Sequence, residues 1–155
     1  MKNQVRKLAE VGVIAAVYAA LVYLLAPISF ALLQFRVAEV VKSLAIFRKH
    51  TIWAMGIGVA AANLASPYVG IWELAWMPAM NLVGGYIAWF VGTKTTPYAG
   101  AAFFAAWISL AVGIMLKTVL GLPFWPTFGT ILVPEAILVI GGVPIMRWVS
   151  ERMSD

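Results

Sequence analysis

Apolar residues run through this chain in blocks of helical length, separated by short turns rich in Pro, Gly and basic side chains. Residues 8–25 form the first block, closed by Pro27, which a helix does not readily continue through. Residues 51–64, 72–92, 97–120 and 128–148 form later blocks, the second of these interrupted by Pro78 and by Gly84 and Gly85. Between the first two blocks lies a stretch of different character, residues 36–47, introduced by Gln34 and carrying Arg36, Glu39 and Lys42. As a helix it places these charges at i, i+3 and i+6, on one face. It is too polar for hydropathy alone to mark as a span.

The distribution of positive charge supplies the missing argument. The N-terminus, the Arg48 and Lys49 loop, the turn at Lys94 and the C-terminus carry Lys or Arg. The connections at 26–35, 65–71 and 120–127 carry none. Counting 36–47 as a span puts every positive end on one side, as the positive-inside rule requires; omitting it puts them on opposite sides. The pattern therefore predicts an all-α integral membrane protein of six transmembrane helices, residues 1–155 in one domain, both termini cytoplasmic.

Composition agrees: 63% of residues are hydrophobic and 11% charged, against roughly 45–50% and 25% in soluble domains. The basic N-terminus resembles a signal peptide, but the uncharged stretch 11–35 is longer than a signal h-region and further spans follow, so it reads as a retained helix. The formal charge of +5 comes from cations scattered between apolar blocks, which indicates anchoring at lipid headgroups rather than nucleic-acid binding. Without cysteine there is no disulfide or thiolate site, and one histidine does not make a transition-metal site; no metal or cofactor is expected. His50 receives no chemical role.

Charges at depth in a bilayer are costly unless paired or wetted, and mark functional sites by default. The candidates for a small-molecule site are Gln34, Arg36, Glu39, Asn63, Trp72, Glu73, Asn81 and Glu135, placed by the topology in the outer half of the membrane. Each has a plainer reading. Arg36 and Glu39 make an i, i+3 ion pair, Glu73 sits among headgroups, and Asn63 and Asn81 join helices by hydrogen bonds. Glu135 is the strongest case, a lone carboxylate inside an apolar helix. Trp72, Trp76 and Trp125 form an interfacial belt or a stacking wall for an aromatic ligand, and Lys117 snorkels to the interface. On the first helix Ala15 with Ala19, or Ala16 with Ala20, lets another helix approach closely, either the protein's own or a separate partner.

Three runs carry a family resemblance over nearly the whole chain: Pro27, Ile28, Ser29 through Gln34, Phe35, Arg36, Val37, Ala38, Glu39; Ala62, Asn63, Leu64, Ala65, Ser66, Pro67 through Trp72, Glu73; and Pro134, Glu135 through Gly141, Gly142, Val143, Pro144. The pattern resembles the QueT family of substrate-binding S components of energy-coupling factor (ECF) transporters. The resemblance implies a six-helix S-component bundle that captures a vitamin-like molecule, a 7-deazaguanine precursor of queuosine, from outside. It implies as partners a T component, docked on the Ala-x-x-x-Ala face of the first helix, and two cytoplasmic ATPases. Glu73 stands where the family has Asp, Pro134 where it has Gly, and Trp76, Met77, Pro78 replace a Gly-rich run. Three other readings fit the residues alone: a solitary solute carrier without ATPases, an intramembrane enzyme using Glu39 and Glu135 as acid and base, and a structural membrane protein with a buried ion-pair network and no ligand. No nucleophile or metal motif accompanies those carboxylates.

Overall fold

The structure is a computed structural model describing residues 2–29 and 35–153. Helix α1 (Lys2–Leu24) leads to a short α2 (Ala26–Ser29). A 3-10 helix (Val37–Ser43) runs into α3 (Leu44–Phe47), and a turn at Lys49–Thr51 starts α4 (Ile52–Asn63). A π-helical turn (Trp72–Trp76) opens α5 (Met77–Lys94), followed by α6 (Pro97–Leu120) and α7 (Phe124–Arg152). All elements among the described residues are helical. Those beginning near Asn3, Trp72, Pro97 and Phe124 are long and apolar enough to cross a membrane, four in all; the 37–47 and 52–63 segments are shorter.

These elements close into a ring. Helix α1 packs on α4, α4 on α5, α5 on α6 and α6 on α7, while the 3-10 segment fills the gap between α7 and α1. Local chemistry sets several ends. Thr96 caps α6 by accepting from the Ala99 N–H (3.2 Å), with Pro97 in the first turn, where its missing N–H costs nothing. Gly121 ends α6 in the left-handed region (φ 69°) that glycine adopts freely.

Two boundaries differ from the sequence reading. Helix α1 begins at Lys2 rather than residue 8, and α7 at Phe124 rather than 128, because apolarity marks membrane depth, not where a helix starts. A third difference is of type. The strip predicted as an α-helix from Arg36 is 3-10 helical from Val37, with Arg36 itself extended (φ −88°, ψ 95°). At about 2.0 Å rise per residue against 1.5 Å, a 3-10 stretch covers more depth for the same length, and its i and i+3 side chains eclipse.

The basic groups foreseen as clustering do so. Glu10 on α1 accepts from Arg48 (2.9 Å), and His50 Nε2 lies 2.5 Å from the same carboxylate. Arg6 bonds to Glu10 and to the Met153 carbonyl. We refer to this as the basic end; the connections at 64–71 and 121–123 lie at the opposite end.

Candidate functional site

Eclipsing of i and i+3 is what builds the centre of the ring. It stacks Glu39 over Lys42, and the two form an ion pair. The Lys42 ammonium also donates to Glu135 Oε1 on α7 (3.1 Å) and sits 5.6 Å from the Phe104 ring centre. Tyr18 of α1 donates its hydroxyl to Glu39 Oε1 (2.6 Å). All four groups are buried, Lys42 to 1% exposure. Burial of an ion costs several kcal/mol even after relaxation, and Lys42 recovers part of that cost by serving two carboxylates at once.

Close approach of the strip to α7 depends on Gly142. A Cβ there would lie 2.7 Å from the Val40 carbonyl oxygen and 2.9 Å from Ser43 Oγ. Ser43 uses the proximity to donate to the Val139 carbonyl (2.5 Å). This contact sets the depth at which Lys42 meets Glu135. Glu135 lies about 16 Å along α7 from Phe124, at 1.5 Å per residue, three turns into the helix.

A second polar layer lies nearer the opposite end. Arg36 donates from Nε to the Ser29 carbonyl (3.2 Å) and from Nη1 to Asn63 Oδ1 (3.1 Å). Asn63 Nδ2 donates to the Glu73 carbonyl (2.9 Å), and Ser66 Oγ to Glu73 Oε1 (3.1 Å). Glu73 is buried rather than spread among headgroups, and its Oε2 has no hydrogen-bond partner among the described residues. The π-helical turn that opens α5 carries Glu73; such turns are frequent at functional sites.

Arg36 joins the two layers, because it also lines a cavity of ≈ 10 Å³ together with Tyr18, Glu39, Lys42, Asn81 and Glu135. The apolar remainder of the lining includes Val59, Met77, Ile108 and Ile131. Asn81 donates to the Met77 carbonyl one turn back (2.9 Å), and its Oδ1 is buried without a partner among the described residues.

Of the candidates from sequence, Arg36, Glu39, Asn81 and Glu135 meet at this cavity, and Asn63 and Glu73 connect to it through Arg36. Trp72 stands outside the lining, edge-on to Trp76 (centroids 5.4 Å, 69° between planes); Trp76 is tied to the Ala111 carbonyl (3.2 Å). Trp125 is largely exposed. Gln34 lies outside the described residues. On α1, Ala15 and Ala19 are buried in the ring, whereas Ala16 and Ala20 are exposed. Two polar lining residues lay outside the candidate set: Lys42, although it was placed on the charged face of the strip, and Tyr18. The Glu39 to Lys42 spacing was the available signal for the first; Tyr18 is an isolated aromatic in an apolar helix and gave none.

Membrane-length apolar helices ringed around buried, charge-balanced polar groups define a helical membrane protein with its chemistry inside. A family model, QueT transporter, matches residues 8–151. The chain belongs to the QueT transporter family, a family of transporters rather than enzymes. No curated protein and no solved structure matches it.

Proposed function

We propose that the chain is the substrate-capture component of an ECF-type importer, taking a 7-deazaguanine precursor of queuosine from outside. It then passes the solute to a T component and two cytoplasmic ATPases. In this reading all six helical segments span the membrane and the basic end is cytoplasmic. The observation that carries it is the convergence of Arg36, Glu39, Lys42, Asn81 and Glu135 on one buried cavity.

The chemistry suits a purine-like edge, which offers N–H donors beside a carbonyl. Glu39, Glu135 and Asn81 Oδ1 accept; Arg36 donates. Size then dictates a mechanism. A cavity of ≈ 10 Å³ holds about one water, far below the ~300 Å³ at which small-molecule pockets begin. Binding a base therefore requires the strip and α7 to part, and the Lys42 bridge is what must open. A base bearing an alkylamine side group brings its own cation to the carboxylates that Lys42 now neutralises. Exposed Ala16 and Ala20 then form the docking face for the T component, while Ala15 and Ala19 pack inward.

Calorimetric titration of the purified chain with 7-deazaguanine bases, beside mass spectrometry of any solute carried through purification, tests the reading. Saturable binding is expected. Absence of binding to every 7-deazaguanine tried ends the substrate assignment. Uptake into vesicles by the chain alone, without T component or ATPases, would establish the solitary carrier instead.

A further inference from the structure

The basic end carries a second cavity system that substrate capture does not use. An apolar groove of ≈ 560 Å³ runs between α1, the strip and α7, lined by Val13, Val17, Val41, Leu44, Met146 and Val149 among others. Arg6, Glu10 and Met153 line its mouth and are shared with an adjoining polar pocket of ≈ 290 Å³. The pocket adds Asn3, Lys7 and Arg48, so three cations face one carboxylate. Lys7 is exposed and has no ion pair or hydrogen bond among the described residues.

Dimensions and charge together define the occupant. From Arg6 to Val17 the groove follows α1 for about 16 Å at 1.5 Å per residue, close to the ~15 Å depth of one leaflet's hydrocarbon. One end is apolar and the other is net cationic at headgroup level, where basic pockets between helices hold anionic lipid heads. We infer that this is a binding site for one anionic phospholipid, an acyl chain lying in the α1–α7 groove and the phosphate held by Arg6, Lys7 and Arg48. The groove adjoins the flank of α1 that carries Gly12, Ala16 and Ala20, with Ala9 and Val13 at their shared border. Its lining on α1 is bulky apart from Ala9, with Val13 and Val17 in place of the small residues four apart that let a partner helix approach closely. The inference rests on the membrane reading of the fold and is independent of the substrate.

Native mass spectrometry of the full chain from nanodiscs containing equal phosphatidylglycerol and phosphatidylcholine tests it. Phosphatidylglycerol is expected to stay bound preferentially, with Lys7→Gln or Arg6→Gln each lowering the preference about fivefold. Val17→Trp, which fills the groove, is expected to release the lipid. Inorganic phosphate is expected to leave it in place. Equal retention of the two lipids overturns the proposal, as does a preference untouched by Lys7→Gln, the exposed site where folding is not at stake. Displacement by inorganic phosphate would show a free-anion pocket. Loss of a copurifying T subunit on Val17→Trp with lipid retention unchanged would show a protein interface. Either of these results also overturns the proposal. None of these readouts involves 7-deazaguanine binding, so the two readings fail separately.

Discussion

The chain builds two charge clusters with nearly the same ingredients and opposite surroundings. At the ring's centre Glu39, Lys42 and Glu135 are sealed among Phe104, Val59 and Ile131. At the basic end Glu10 collects Arg6, Arg48 and His50 where the Arg6 side chain is half exposed. Water reaches this cluster through Arg6, while the Glu10, Arg48 and His50 side chains are 11%, 15% and 21% exposed, so its charges are partly screened and losing a partner costs less there than at the centre. At the centre nothing substitutes for a missing partner except repacking or a ligand. Location, not composition, separates the sealed cluster, which tolerates no missing partner, from the one that water can reach.

The largest test of that contrast is Lys42→Met, which leaves two buried carboxylates facing each other. It is expected to destabilise the protein by about 3–5 kcal/mol, read from thermal unfolding in detergent. Adding Glu135→Gln to it should recover part of the loss, and an undiminished melting temperature for the single variant would refute the buried Lys42 bridge. Next in size, Glu135→Gln is expected to weaken 7-deazaguanine binding by about 1.5–3 kcal/mol, the scale for a hydrogen bond to a charged group. Unchanged affinity by calorimetry removes Glu135 from the site. Gly142→Ala pushes a methyl into the Val40 carbonyl and Ser43, and should cost about 1–3 kcal/mol by overpacking. That variant separates geometry from charge, since every ionised group is kept. Smallest of all, Glu10→Gln should cost no more than about 1 kcal/mol. High salt should shrink this loss and leave the Lys42→Met loss intact; equal salt response in both would erase the contrast.

Much of this arrangement was legible beforehand. The helical blocks fell where apolar runs predicted them, and the count of positive ends placed the 36–47 strip in the bundle and the basic loops together. Spacing could not reveal the 3-10 geometry of that strip, because charges at i, i+3 and i+6 fit periods of both 3.0 and 3.6. The choice is made by packing against α7, where Gly142 admits the Val40 backbone. The same limit explains Lys42. Its pairing with Glu39 is local and could be read, but its pairing with Glu135 spans 93 positions and arises only when the ring closes. Ala15 and Ala16 were equivalent by spacing too; only the ring says which one faces inward.

Charge balance at the centre bears on how such a protein lives in an energised membrane. Arg36 and Lys42 offset Glu39 and Glu135, so the quartet carries no net formal charge. Each elementary charge crossing a membrane gains or loses about 2.3 kcal/mol per 100 mV, and a neutral quartet shifting as a unit moves none. Movement of this core as a unit should proceed at the same rate in polarised and depolarised vesicles, whereas a parting of the strip from Glu135 separates charge and should respond to the electrical gradient.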